Sequence, residues 1–347
     1  MWEYYEFTKD NDYLRDVAYP LLREGALFYD AYLLDEGERK VIFPSRIMEY
    51  HGEQHSLDNF MKNSISAVSM YRFVLNNAAN AAEILGVDEE SREKWRASAL
   101  SLGEYAAYPN GVWKPSEDWN DLTVDYGIPA VSDLSPIAYT GEVDAWHGAS
   151  AGQIDSGRKT VSELTKDDLI GWELSFRMIA NMRYGNREAA AKVLPGLHNS
   201  QGGGNLNIYN PSENFYVDKG AAYLSEVITE MLLQSQPGEI RVFPAYPFEI
   251  GDAAFFSLRA RNAFLVSSEI RDGKIAYIII KSLCGESCRV YNELGADVQV
   301  RNLETGEIVD VEPDERGVIE FLTTAEYEYV VERKSQPLEA FPYIEKS

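Results

Sequence analysis

Three acidic residues and two tryptophans fall within nine positions of this sequence, Trp113-Lys-Pro-Ser-Glu117-Asp118-Trp119-Asn120-Asp121. Cleavage of a glycosidic bond needs a carboxylic acid beside the leaving oxygen and a second group to activate water. A tryptophan that keeps water from a carboxyl raises its pKa, which suits that carboxyl to the acid role. The same residues also fit a solvated acidic loop pinned by one tryptophan.

A second segment, Asn205-Leu-Asn-Ile-Tyr-Asn-Pro-Ser-Glu-Asn214-Phe-Tyr-Val-Asp218-Lys-Gly220, ends just before an apolar helical stretch. Asp218 there reads as an N-cap, a frequent use of Asp. It reads equally as a carboxylate kept charged by the helix dipole and available as a base. The spacing of His51-Gly-Glu-Gln-His55 imitates a helical metal pair, but its Glu is misplaced for His-Glu-x-x-His and Gly52 breaks the helix, so a loop contact is expected and no metal. Gly202-Gly-Gly204 lacks the Lys-Ser/Thr of a phosphate loop, and neither His147 nor His198 has a nucleophile motif around it.

These segments need a scaffold, and its pattern is legible. Residues 1 to 236 read as helical. Leu14, Val17, Ala18, Leu21, Leu22, Ala26, Tyr29 and Leu33 repeat at three and four, with Pro20 kinking that helix or sitting in its first turn. Leu57 to Leu85 carry a long amphipathic stripe stopped by Gly86, and Asp88 is the expected N-cap of a helix reaching about Tyr105. Further helices are expected at 168–184, 186–197 and 220–235, separated by irregular segments at 106–155 and 198–219. Irregular segments this long are usually functional or disordered, and their tryptophans argue for function. From Glu239 the period changes to two, with expected strands at 240–243, 263–270, 274–281, 289–292, 298–302, 308–311, 318–321 and 327–331. Asp272-Gly273 marks a type I′ hairpin turn.

Bulk composition narrows the partners. The net charge is −24 over 347 residues. That argues against nucleic acid and against anionic membrane surfaces, both of which need clustered Lys and Arg. Tyr 22 and Trp 6 suit sugars, whose C–H faces pack on aromatic rings, and suit an ordinary core as well. Cys284 and Cys288 make neither a disulfide framework nor a zinc signature. No cofactor is expected. No secretion signal opens the chain, and Met1-Trp-Glu-Tyr-Tyr5 reads as mid-helix, so the expectation is that the chain begins inside a larger protein.

Several ordered stretches resemble glycoside hydrolase family 95, the α-L-fucosidase and α-L-galactosidase family. Trp2-Glu-Tyr-Tyr-Glu-Phe-Thr-Lys-Asp10 with Val17-Ala-Tyr-Pro20 is similar to its "W-E-x-Y-x-x-T-x-D" and "A-Y-P" sequences. Ala81-Ala-Glu-Ile-Leu-Gly-Val-Asp88, Gly171-Trp172-Glu173, Glu230-Met-Leu-Leu-Gln-Ser235 and Gly238 to Pro247 continue the resemblance in order. It implies later helices of an (α/α)₆ barrel (toroid) followed by a C-terminal antiparallel β-sandwich. The expected bounds are 1–236 for the partial barrel, 237–334 for the sandwich and 335–347 for a tail.

The resemblance also implies an inverting, exo-acting hydrolase of α-L-fucoside- or α-L-galactoside-like sugars. A Glu is the acid, and Asn side chains held by an Asp activate water. Phe215-Tyr-Val-Asp218 matches the motif of that Asp, which assigns the base side to Asp218. Glu117-Asp118-Trp119 match the end of the acid motif "L-Q-E-W-x-E-D-W", while the acid's own place holds Lys114, so either Glu117 takes the acid role, or a different carboxylate does, or the site is inactive, and Glu117 is the assignment carried forward. Where the family reads "V-S-H-L", this chain has Val131-Ser-Asp133-Leu. Trp113, Asp118, Trp119, Asp133, Trp172 and Asn214 are the expected sugar contacts. The rival readings are an inactive carbohydrate-binding or structural portion of a larger enzyme, paired with an N-terminal portion or a second chain, and a phosphorylase or lyase on the same barrel.

Overall fold

A computed structural model describes residues 1–46, 60–119, 134–164, 172–197 and 217–339, without the side chains of 172–175, 193–197 and 217–224. It divides into two compact units, one of Met1–Trp2 with Asp10–Ile228, the other of Glu3–Lys9 with Thr229–Ser347. No helix among the described residues is long and apolar enough to cross a membrane.

The first unit is helical. A π-helical turn, Leu14–Ala18, leads into helix Tyr19–Tyr32, with Tyr19 N bonded back to Leu14 O. The wide turn accommodates Pro20, which has no N–H and whose ring would crowd the carbonyl four residues back. Helix Ile65–Leu85 carries the predicted stripe inward through Val68, Tyr71, Leu75, Ala78 and Ala82. Tyr29 stacks on Tyr71 at 4.1 Å between ring centres and Tyr32 meets the same ring edge-on at 6.2 Å, so aromatic contacts join the two helices. Gly86, at φ +69°, closes the helix by donating its N–H to Ala82 O and Glu83 O. This left-handed stop is where glycine is least strained.

Helix Glu89–Ser101 follows, shorter than predicted, and buries Trp95. Asp88 does not cap it. Its carboxylate accepts from Tyr19 Oη (2.5 Å) and Arg23 Nε (2.9 Å) instead, because its own backbone is left-handed. Helices Trp172–Arg183, Arg187–Leu197 and Val217–Leu232 correspond to predicted ones. Helix Ala151–Glu163 lies partly in a stretch expected to be irregular. It buries Gln153, Gly157, Thr160 and Val161, a face too polar to show a hydrophobic period.

The second unit is sheet-rich. Six strands run in the order β10 (Ile308–Val309), β9 (Val298–Asn302), β12 (Glu328–Arg333), β7 (Lys274–Ser282), β6 (Phe264–Arg271), β5 (Ala253–Ala260). Four more run β11 (Val318–Phe321), β8 (Cys288–Tyr291), β4 (Glu239–Val242), β3 (Leu233–Gln234). The antiparallel expectation needs one correction, since β4 and β8 pair in parallel. Asp272 and Gly273, at φ +51° and +70°, make the two-residue turn that their sequence signals. In β6 buried and part-exposed residues alternate, in β7 the alternation is broken where Tyr277 and Ile278 are both buried, and Val266, Ile270, Ile278 and Ile280 enter the core.

Candidate functional site

The loop that carries Glu117 is built by a tight reversal. Gly111 N donates to Tyr108 O (2.8 Å) and Tyr108 N to Val112 O (2.8 Å), with Gly111 at φ +88°. Lys114 N then donates to Ala106 O (2.8 Å), which fixes Trp113 opposite Ala107. Beyond it the chain is stitched to the start of helix Ile65–Leu85. Ile65 N donates to Pro115 O (2.9 Å), Glu117 N to Lys62 O (3.1 Å) and Lys62 N to Asp118 Oδ2 (2.9 Å). The loop thereby supplies an acceptor for the first helical N–H, one of those a helix leaves unpaired.

Trp113 is an anchor in this structure rather than a wall. It is 2% exposed, its ring centre lies 5.2 Å from that of Tyr105, and its backbone N–H donates to Thr160 Oγ1 (2.9 Å). Helix Ala151–Glu163 offers it the bare backbone of Gly157, where an added Cβ would lie 3.1 Å from the indole. A ring enclosed in this way has no face left for a sugar.

Glu117 is held by four donors. Arg39 reaches it as a fork, Nη1 to Oε2 at 3.0 Å and Nη2 to Oε1 at 2.7 Å. Asn63 Nδ2 donates to Oε2 (2.7 Å), and Lys62 Nζ lies 3.1 Å from Oε1. Hairpin β1 (Leu34–Glu36) to β2 (Arg39–Val41) positions the guanidinium and also places Glu36 beside it. The Arg39 hydrogen bonds, against the opposing pull of burial and with help from Asn63 and Lys62, hold Glu117 down to about 2. As paired here, Glu117 is a carboxylate, and donation of a proton requires these contacts to open.

Glu117 and Lys114 line one small cleft together with Asn63, Leu102, Glu104 and Tyr105. Of these, Tyr105 donates through Oη to Glu142 Oε2 (2.5 Å), and Arg72 Nη1 donates to Glu142 Oε1 (2.9 Å). The Arg72 guanidinium also lies 4.6 Å from the centre of the Tyr105 ring. Burial first, then the Glu142 charge, pushes the Tyr105 hydroxyl well above its ordinary value, so it stays a neutral donor. The position that the resemblance gives to the family acid, Lys114, thus faces the same space as Glu117. Its ammonium also lies 5.6 Å from the Tyr108 ring centre.

Of the other predicted contacts, Asp118 is exposed and Trp119 half-buried on this loop. Asp218 is the second residue of helix Val217–Leu232 and Trp172 the first of Trp172–Arg183, with side chains outside the described set. Asp133, Asn214, the His51–His55 pair, His198 and Gly202–Gly204 lie outside the described residues. His147 pairs through Nδ1 with the buried carboxylate of Asp144 (2.9 Å), which also accepts the backbone N–H groups of Trp146 and His147. Among the described residues no group of three His, Cys, Asp or Glu is placed to hold a metal ion. The residues that sequence reasoning missed are Glu36, Arg39, Lys62, Asn63 and Glu142. Arg39 and Asn63 sit 78 and 54 positions from Glu117, and Glu142 sits 37 from Tyr105, so no local motif announces them, while Glu36 is drawn in through Arg39, three residues on in the same hairpin.

Helices followed by sheets, with a carboxylate loop over a cleft, are the frame in which the comparisons fall. The model of the glycosyl hydrolase family 95 catalytic domain matches residues 1–232, and that of the family's C-terminal domain matches 234–331. The chain belongs to glycoside hydrolase family 95. Two of the solved structures that resemble it show the shared fold. One, described as a kojibiose phosphorylase from human microbiome, has a TM-score of 0.51 and 10% identity over 94% of this chain and 48% of its own. The other, the Streptomyces avermitilis α-L-rhamnosidase complexed with L-rhamnose, has a TM-score of 0.55 and 14% identity over 95% of this chain and 32% of its own. The chain therefore spans about half and about a third of their lengths. No curated protein sequence matches it.

Proposed function

We propose that the protein acts in glycoside hydrolysis, as an inverting, exo-acting hydrolase of α-L-fucoside- or α-L-galactoside-like sugars. The observation that carries this reading is Glu117 on the wall of a cleft, on a stitched loop inside the segment matched by the family's catalytic-domain model. In this reading residues 1–236 are later helices of an (α/α)₆ barrel, 237–334 a β-sandwich and 335–347 a tail. Glu117 protonates the leaving oxygen once its ion pairs open, and Asp218, in the first turn of its helix, supports the attacking water. Asp118, Trp119, Trp172, Asp133 and Asn214 shape the sugar pocket, while Trp113 supports it from below.

The test is release of aryl alcohol from aryl α-L-fucosides and α-L-galactosides by the 347-residue chain, with proton NMR following the anomer formed first. Turnover with inversion is expected, with losses of about 10²–10⁴ in kcat for Glu117→Gln and Asp218→Asn. Full activity of Glu117→Gln removes Glu117 from the acid role. The ion-paired state of Glu117 and the presence of Lys114 in the cleft favour a second reading, sugar binding without turnover. Calorimetric binding of L-fucose or L-galactose with no product would select it.

A further inference from the structure

We propose that Arg39 is a positioning residue that sets the charge of Glu117, and that Glu36 is the partner to which Arg39 and Lys62 turn when Glu117 takes up a proton. The inference rests on the reading that Glu117 is the carboxylate presented to the sugar.

Glu117 Oε1 receives Arg39 Nη2 (2.7 Å) and faces Lys62 Nζ (3.1 Å), while Oε2 receives Arg39 Nη1 (3.0 Å) and Asn63 Nδ2 (2.7 Å). Guanidinium and ammonium groups carry no acceptor. The Asn63 amide has one, but Oδ1 is taken by Ile42 N (2.7 Å), so its NH₂ end is fixed toward Glu117. A proton on Glu117 would therefore point at a donor from either oxygen. At least one donor has to leave before the carboxyl can hold a proton.

Glu36 gives the departing cations somewhere to go. Arg39 Nη2 is 2.5 Å from Glu36 Oε2, and Lys62 Nζ is 3.1 Å from Glu36 Oε1. Both cations are thus shared already between two carboxylates. Neutralising Glu117 leaves them on Glu36, whose side chain is about half exposed and able to follow them. Among the described residues, the charged groups around the pair are Glu36 and Arg39 from the hairpin, Lys62 from the segment before helix Ile65–Leu85, Lys114 and Asp118 from the loop of Glu117, and Glu104, which lines the same cleft.

The test follows Glu117 itself in the full chain labelled with ¹³C at glutamate carboxyls, its signal assigned by loss in Glu117→Gln. In the unaltered chain the signal stays flat from about pH 7 to about pH 4. In Arg39→Met it titrates near the ordinary carboxylate value of ~4.3, raising the protonated fraction at higher pH by about 100-fold. Arg39→Lys, which keeps the charge and loses the fork, falls between. Glu36→Gln moves the midpoint the other way, because it removes a like charge and leaves both cations to Glu117. A purely structural role would destabilise the chain in all three variants and leave the Glu117 signal unmoved. An ordinary midpoint in the unaltered chain, or an unshifted one in Arg39→Met, overturns the proposal. Where Arg39→Met does not fold, the Arg39→Lys and Glu36→Gln shifts decide. Absence of turnover with the expected shifts would instead sink the hydrolase reading and leave the charge-setting role standing.

Discussion

Arg39 and Glu117, 78 residues apart in sequence, are joined by two hydrogen bonds, at 3.0 and 2.7 Å, in the parallel fork that a guanidinium makes with a carboxylate. This geometry contributes to the acid stability of the first unit. Glu117 is held near 2 when folded and returns to about 4.3 when unfolded. A depressed carboxyl stabilises the fold above its unfolded value, and that stability drains away as pH falls toward the folded value. The loss is therefore expected between about pH 4.5 and pH 2, and amounts to roughly 1–2 kcal/mol after allowance for a side chain a quarter exposed. Urea unfolding at about pH 7 and pH 3.5 checks it. Glu117→Gln should be less stable than the parent at the higher pH and lose less on acidification.

Much of the frame could be read from the sequence because its signals are local. The Ile65–Leu85 stripe, the Gly86 stop and the Asp272-Gly273 turn each depend on a few adjacent residues. Helix Ala151–Glu163 was hidden because its buried face is made of Gln153, Gly157 and Thr160. Its one cue was the Ser150-x-x-Gln153 spacing, in which Ser150 Oγ accepts from Gln153 N (3.1 Å) and Gln153 Oε1 from Ala149 N (2.6 Å). Strand β5 was hidden because a register shift between Phe255 and Leu258, with Ser257 at φ +52°, breaks its alternation. At the site, the loop from Trp113 to Trp119 was visible as composition. The charge state of Glu117 was not, because Arg39, Lys62 and Asn63 reach it only through tertiary folding.

Gly157 is expected to resist even alanine. An added Cβ would stand 2.1 Å from Tyr184 Oη and 3.1 Å from Trp113. Alanine in a helix interior normally gains about 1 kcal/mol over glycine. Overpacking of this kind costs about 1–3 kcal/mol, so the clash outweighs the gain. Denaturant midpoints should fall for Gly157→Ala and recover in part when Tyr184→Phe removes the obstructing oxygen. A stabilised Gly157→Ala single variant would refute the close approach.

Arg72 and Glu142 pair with Tyr105, one of the residues lining the cleft, and removal of the cation is expected to cost at least as much as removal of the phenol. Arg72→Met leaves the Glu142 carboxylate with Tyr105 as its remaining partner in this trio. Breaking a fully buried pair costs about 3–5 kcal/mol, and Glu142 keeps about a quarter of its surface, so about 2–3 kcal/mol is expected. Tyr105→Phe removes one charge-assisted hydrogen bond, about 1.5–3 kcal/mol at most, and keeps the ring under Arg72. Unfolding free energies of both single variants and the double variant measure the coupling, and additive losses would mean that the three groups do not act together.

The two cysteines should differ sharply in reactivity. Cys288 opens strand β8, opposite Phe321, and its sulfur is fully enclosed. Burial, with a smaller push from Glu320, raises its thiol well above the ordinary value, which suppresses the thiolate that reacts. Cys284 is exposed, with its Sγ 3.7 Å from Thr8 O in the same unit. A disulfide-exchange reagent at neutral pH should therefore modify Cys284 promptly in the native protein and reach Cys288 only on unfolding. The slow phase should follow the denaturant dependence of unfolding, and Cys284→Ser should abolish the fast phase alone. Prompt reaction of both thiols in the native state would show that β8 opens far more readily than its pairing to β11 and β4 allows.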